Sequence, residues 1–86
     1  MTTERYNVVI TRGAGRDLDR LDRTVLSRVA REIDALSTEP RPTGCRKLIN
    51  QVSLWRVGDW RVLYEIDDAA RTVRVVAVRH RSKAYE

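Results

Sequence analysis

The stretch Val52-Ser53-Leu54-Trp55-Arg56-Val57, then Gly58-Asp59, then Trp60-Arg61-Val62-Leu63-Tyr64-Glu65-Ile66-Asp67 decides the fold. Two runs rich in β-branched and aromatic residues flank a two-residue turn with glycine first, the signature of a tight hairpin. A two-residue loop fixes the register: Val57 faces Trp60, Arg56 faces Arg61, Trp55 faces Val62 and Leu54 faces Leu63. A third strand, Thr72 to His80, follows the four-residue connection Asp68-Ala69-Ala70-Arg71. That loop length predicts Asp67 opposite Thr72, Glu65 opposite Arg74, Tyr64 opposite Val75 and Val62 opposite Ala77. Directly opposed residues share a face. One face then carries Trp55, Val57, Trp60, Val62, Tyr64, Ile66, Val73, Val75 and Ala77, all apolar. The other carries Arg56, Arg61, Glu65, Arg74 and His80, interspersed with Leu54, Leu63, Val76 and Val78.

Upstream, the loop Glu39-Pro40-Arg41-Pro42-Thr43-Gly44 marks a change of period from 2 to 3.6. Ala14, Leu18 and Leu21 recur at helical spacing, as do Val25, Val29, Ile33 and Leu36. Asp22-Arg23-Thr24 is the turn between them, with Asp22 or Thr24 as N-cap. Gly13-Ala14-Gly15 lacks the third glycine and the lysine of a phosphate-binding loop, so it reads as the start of the first helix. Tyr6 to Ile10 reads as a short strand. The order β-α-α-β-β-β predicts an α+β fold: one domain spanning 1–86, an antiparallel sheet with a helical hairpin on one face.

Composition narrows the functional classes. The chain has 86 residues, 42% of them hydrophobic and 34% charged, which suits one small globular domain. No apolar run approaches the roughly 18–20 residues of a membrane span, and no signal peptide is recognisable, so a cytoplasmic protein is expected. One cysteine and one histidine speak against a structural metal centre, and no motif calls for a cofactor. The net charge is +5. Residues 1–41 hold 8 basic and 7 acidic side chains, and residues 42–86 hold 9 and 5. The basic excess therefore sits in the second half, and a polyanionic partner is expected there.

Arg56 opposite Arg61 is an unfavourable cross-strand pair, with Cβ atoms roughly 4.5–5.5 Å apart. Screening at a hairpin tip would tolerate it; a phosphate between the guanidinium groups would explain it. Glu65 opposite Arg74 is complementary and needs no function. The strand end Arg79-His80-Arg81-Ser82-Lys83-Ala84-Tyr85 supplies more cations, an imidazole and a phenol. Cations beside proton-moving groups suit metal-free phosphodiester cleavage. Tyr85, with a reference pKa of about 10, needs neighbours such as Arg81 and Lys83 to act as a base.

The segments Gly58-Asp59-Trp60-Arg61-Val62-Leu63-Tyr64 and His80-Arg81-Ser82-Lys83-Ala84-Tyr85 resemble the paired motifs of the RelE/ParE superfamily of bacterial toxins. The resemblance extends over the N-terminal strand, the helical hairpin and Arg46-Lys47-Leu48. It implies a toxin of a type II toxin–antitoxin system and, for RelE-like members, a metal-independent endoribonuclease. Such members cut messenger RNA in the ribosomal A site by 2′-hydroxyl attack on the adjacent phosphate. By motif position, Arg61 and Arg81 would stabilise the transition state, Tyr85 would be the base and His80 would assist. Lys47 and Arg56 would bind backbone, with Arg46, Arg74 and Lys83 as further contacts. The resemblance also implies an acidic, RelB-like antitoxin in a hetero-oligomer, covering Leu54, Leu63, Val76 and Val78. Leu54 stands where typical members carry a basic residue, and the Leu48–Gly58 segment is shorter than theirs. Two other readings are a ParE-like protein inhibitor of DNA gyrase and a non-catalytic nucleic-acid-binding module.

Overall fold

A computed structural model of the chain describes residues 5–83. Its strands are β1 (Asn7–Ile10), β2 (Arg46–Lys47), β3 (Val52–Val57), β4 (Trp60–Asp67) and β5 (Thr72–His80), and its helices are α1 (Arg12–Asp19) and α2 (Arg23–Ala35). Both helices begin on a side-chain cap. Thr11 Oγ1 accepts the Ala14 N–H at 3.2 Å, and Asp22 Oδ1 accepts the Val25 N–H at 2.9 Å, which satisfies donors that a first turn leaves open. The three strands of the second half match the ranges read from the sequence, and two helices stand where the apolar stripes put them, though Leu21 and Leu36 fall just past their ends and Arg23 and Thr24 of the expected turn already belong to α2. The two-residue β2 was not foreseen; it is too short to show a period.

The sheet order is β1-β5-β4-β3-β2. It is mixed: β1 joins β5 in parallel, while the other pairs are antiparallel. The β3–β4 register agrees with the expected one at every position. Gly58 has φ 61°, and of the two turn residues only the first is left-handed, the pattern of a type II′ turn. Gly58→Ala should therefore lower stability by about 1–2 kcal/mol, visible as a drop in melting temperature.

The β4–β5 register follows expectation from Asp67↔Thr72 to Tyr64↔Val75 and then shifts by one. A bulge at Val76 sets Leu63 against Ala77, Val62 against Val78, Arg61 against Arg79 and Trp60 against His80. The expected pairing of Val62 with Ala77 is thus corrected, and so is the face assigned to His80. The shifted strand is matched by contacts at the neighbouring edge. Beyond Ile10, α1 takes the place of β1: Thr11 N–H donates to Val75 O at 3.1 Å, and its hydroxyl donates to Val76 O at 3.4 Å. Asp17 accepts the Val78 N–H at 2.9 Å.

On the helix side, Ala14, Val29, Ile33 and Leu36 meet Val57, Val62, Tyr64, Val73, Val75 and Val78 in one buried cluster. Tyr64 is fully buried and donates its hydroxyl to Pro40 O at 2.7 Å, with Cys45 Sγ at 3.0 Å. Leu54 and Val78, expected to await a partner, are already buried in this chain, at 1% and 3% exposure. Among the described residues the exposed large apolar side chains are Val9, Ile10 and Ile49.

A surface network ties β1 to two loops. Asp68 receives the Tyr6 hydroxyl at 2.5 Å and two Arg41 nitrogens at 3.1 and 2.9 Å. The Arg41 guanidinium, then the Tyr6 hydroxyl, hold its carboxyl down at about 2. The stabilisation this gives is complete above an ordinary carboxyl pKa of about 3.9 and is lost as pH falls through about 2. Asp68→Asn should flatten that part of the acid-unfolding curve.

Candidate nucleic-acid interface

The face away from the helices is built in rows across the strands. Nearest the 58–59 tip stand Arg56, Arg61 and Arg79, aligned on β3, β4 and β5. The next row is Arg46, Leu54, Leu63 and Ala77, and then come Val52, Glu65, Arg74 and Val9. The type II′ turn aligns the first two arginines, and the bulge brings in the third. An unshifted register would have set Val78 beside Arg61. Three arginines in adjacent cross-strand positions, of which Arg79 is paired with Asp17, leave a net positive row that favours an anion laid across it.

Arg61 is 8% exposed. Its Nη1 reaches Gly58 O at 3.4 Å and Trp60 O at 3.3 Å, both long, and Nε has no hydrogen-bond partner among the described residues. A guanidinium cannot shed its charge, so burial with such weak partners is costly. A phosphate oxygen would complete its hydrogen bonding. Arg56 and Arg46 are exposed on the same face. Arg79 keeps 43% of its side chain exposed and is ion-paired with Asp17 of α1. The sequence singles it out for no role beyond adding a cation to the strand end. Only the bulge puts it beside Arg61.

The remaining candidates divide. Arg81 is exposed, and its N–H donates to Asp59 O at 2.7 Å, which ties the end of β5 to the hairpin tip. Arg74 shares the arginine face but is held by Glu65 at 3.3 Å. Lys47 pairs with Ser53 and so sits on the opposite face from Arg46. His80 faces Trp60, edge-on at a ring separation of 5.2 Å. Its Nδ1 lies 3.1 Å from Ser82 Oγ and 3.4 Å from the Ser82 nitrogen. The bulge thus removes His80 from the row of Arg56 and Arg61, where the straight register had put it. The backbone of Lys83 belongs to the turn Arg81–Lys83; its side chain and Tyr85 lie outside the described residues. Among the described residues no three His, Cys, Asp or Glu side chains cluster as metal ligands, and no helix is long and apolar enough to cross a membrane.

A family model described as ParE toxin of type II toxin–antitoxin system, parDE, matches residues 8–85. Toxin RelG of Mycobacterium tuberculosis is 38% identical over 84 residues, covering 93% of this chain and 95% of that protein. Toxin RelE of the same organism is 32% identical over 83 residues, covering 93% and 86%. A chain in the crystal structure of the toxin–antitoxin complex RelBE2 from M. tuberculosis superposes with a TM-score of 0.83 at 32% identity, over 95% of this chain and 98% of that one.

Proposed function

Because the chain belongs to the ParE toxin family of type II toxin–antitoxin systems, within the RelE/ParE superfamily, we propose that it is a RelE-like, metal-independent endoribonuclease acting on messenger RNA in the ribosomal A site, in the cytoplasm. The observation that carries this reading is the row Arg56–Arg61–Arg79. The 2′-oxygen attacks phosphorus and the bond to the 5′-oxygen breaks, leaving a 2′,3′-cyclic phosphate and a 5′-hydroxyl. Charge accumulates on the non-bridging oxygens in between, where preorganised cations act most strongly. Arg61 and Arg79 supply that charge. Arg81, tied to the hairpin tip, donates a hydrogen bond to the leaving 5′-oxygen, which takes its proton from water. Arg56, Arg46 and Lys83 hold the RNA backbone. Tyr85, by its place in the terminal motif, takes the 2′-hydroxyl proton.

The partner is a RelB-like acidic antitoxin, and the relative in the RelBE2 complex supports that assignment. The free protein should arrest growth, and it should purify in quantity only with the antitoxin. Vigorous growth during overexpression of the wild-type protein alone would contradict this. Primer extension on a message after induction tests the activity: new 5′ ends should appear within codons, and only while the message is translated.

The name of the matching family favours a second reading, a ParE-like poison of DNA gyrase. The double variant Arg61→Ala/Arg79→Ala separates the two. Toxicity that persists, with relaxation of plasmid supercoiling, means gyrase; loss of toxicity together with loss of message cleavage means the ribonuclease.

A further inference from the structure

We infer that Asp17 is a positioning residue, the carboxylate on α1 that fixes the Arg79 guanidinium at the outer edge of the arginine row. The inference rests on the ribonuclease reading for its functional meaning and on geometry for its substance. A single oxygen, Oδ2, accepts both the Val78 N–H, at 2.9 Å, and Nη1 of Arg79. Backbone and side chain of two consecutive residues are therefore pinned to one atom. The Asp17 side chain is 13% exposed, so its charge is largely removed from water and is compensated by these two donors.

The position explains why a carboxylate is needed. β1 ends at Ile10, opposite Val75. Past that point the outer edge of β5 has no strand beside it, and the Val78 N–H would be an unpaired edge donor. Asp17 substitutes for the missing strand. It does so just beyond the Val76 bulge, where the chain has left its earlier phase and where Arg79 gains its place opposite Arg61. Arginine is long and rotamer-rich, and orienting it in advance reduces the entropy lost on binding a phosphate. The pairing also leaves 43% of the Arg79 side chain exposed, so the guanidinium can be held and still meet a ligand.

Asp17→Asn separates the two bonds. The amide oxygen still accepts the Val78 N–H, but the charged partner of Arg79 is gone; Asp17→Ala removes both. The Asn variant should melt within a few degrees of wild type. Its single-turnover cleavage rate should fall about tenfold, the loss typical of one bond to a charged group, with RNA affinity changed less than threefold. Placed on Arg79→Ala, the same substitution should cause no further loss. A wild-type rate in Asp17→Asn, a faster one, or an equal loss with Arg79 absent would each overturn the inference. The NMR linewidths of the Arg79 side-chain N–H groups provide a readout independent of cleavage. They should report a restrained guanidinium in the wild type and a freely rotating one in Asp17→Asn. A wild-type protein that cuts no RNA would sink the ribonuclease reading alone, and the linewidths would then decide the role of Asp17: release on substitution upholds it, no change overturns it.

Discussion

Arg61→Met is expected to lower RNA cleavage by about 10²–10³-fold, the usual loss when one preorganised charge is removed from a transition state, while the melting temperature holds or rises. The two halves of this result have different causes. The catalytic half follows from a cation in the middle of a three-arginine row, the position from which it meets a phosphate spanning that row. The stability half follows from what Arg61 lacks in the free protein: good partners. Its Nε is unpaired among the described residues, its two carbonyl contacts are long, and arginines stand on both sides. Methionine keeps the buried stem and removes the poorly solvated charge, whose burial costs more than its weak bonds return. Single-turnover cleavage on a programmed ribosome and a thermal melt check both halves. A variant that unfolds would make Arg61 structural; one that cleaves at the wild-type rate would remove it from the chemistry.

The second large effect is expected at Tyr85, where substitution by phenylalanine removes only the oxygen. If the phenol is the general base, cleavage falls by about 10²–10⁴-fold. If the ring only stacks on a nucleobase, Tyr85→Phe behaves as wild type and Tyr85→Ala is the damaging change. His80 is the control that the register supplies. It stands opposite Trp60, outside the arginine row, so His80→Gln should stay within about threefold of wild type, roughly 0.65 kcal/mol in barrier. The opposite pattern, a silent Tyr85→Phe and a dead His80→Gln, would transfer the proton to the histidine. It would also require the strand end to rearrange on the ribosome.

Local rules carry a long way in this chain, and the places where they stop are specific. Gly58-Asp59 fixes every β3–β4 pair, because a two-residue turn permits one register. Asp22 caps α2 as its position before the apolar stripe suggests. The register beyond Val75 was out of reach. Val76-Ala77-Val78 is apolar throughout, so an inserted residue leaves no break in an alternation, and the groups that meet the bulge come from 65 and 61 positions away, at Thr11 and Asp17. Arg79 and His80 changed faces for that reason alone. The parallel partnership of β1 with β5 was equally hidden, since parallel neighbours share no turn and leave no local mark. The burial of Leu54 was masked by its charged neighbours on the same strand face.

That parallel partnership has a consequence for how the protein comes into being. β5 lies between β1 and β4 in space, yet it is the last of the five strands to be synthesised. Until Thr72–His80 has left the ribosome, β1 has no strand to join, the helices lack Val73, Val75 and Val78 to pack on, and the arginine row is one member short. Contacts this distant in sequence close late and slowly. On the ribonuclease reading proposed above, the nascent chain is therefore inactive while the ribosome is still making it. Its activity begins only once β5 has emerged and the sheet has closed, an interval in which an antitoxin already present can reach the chain first.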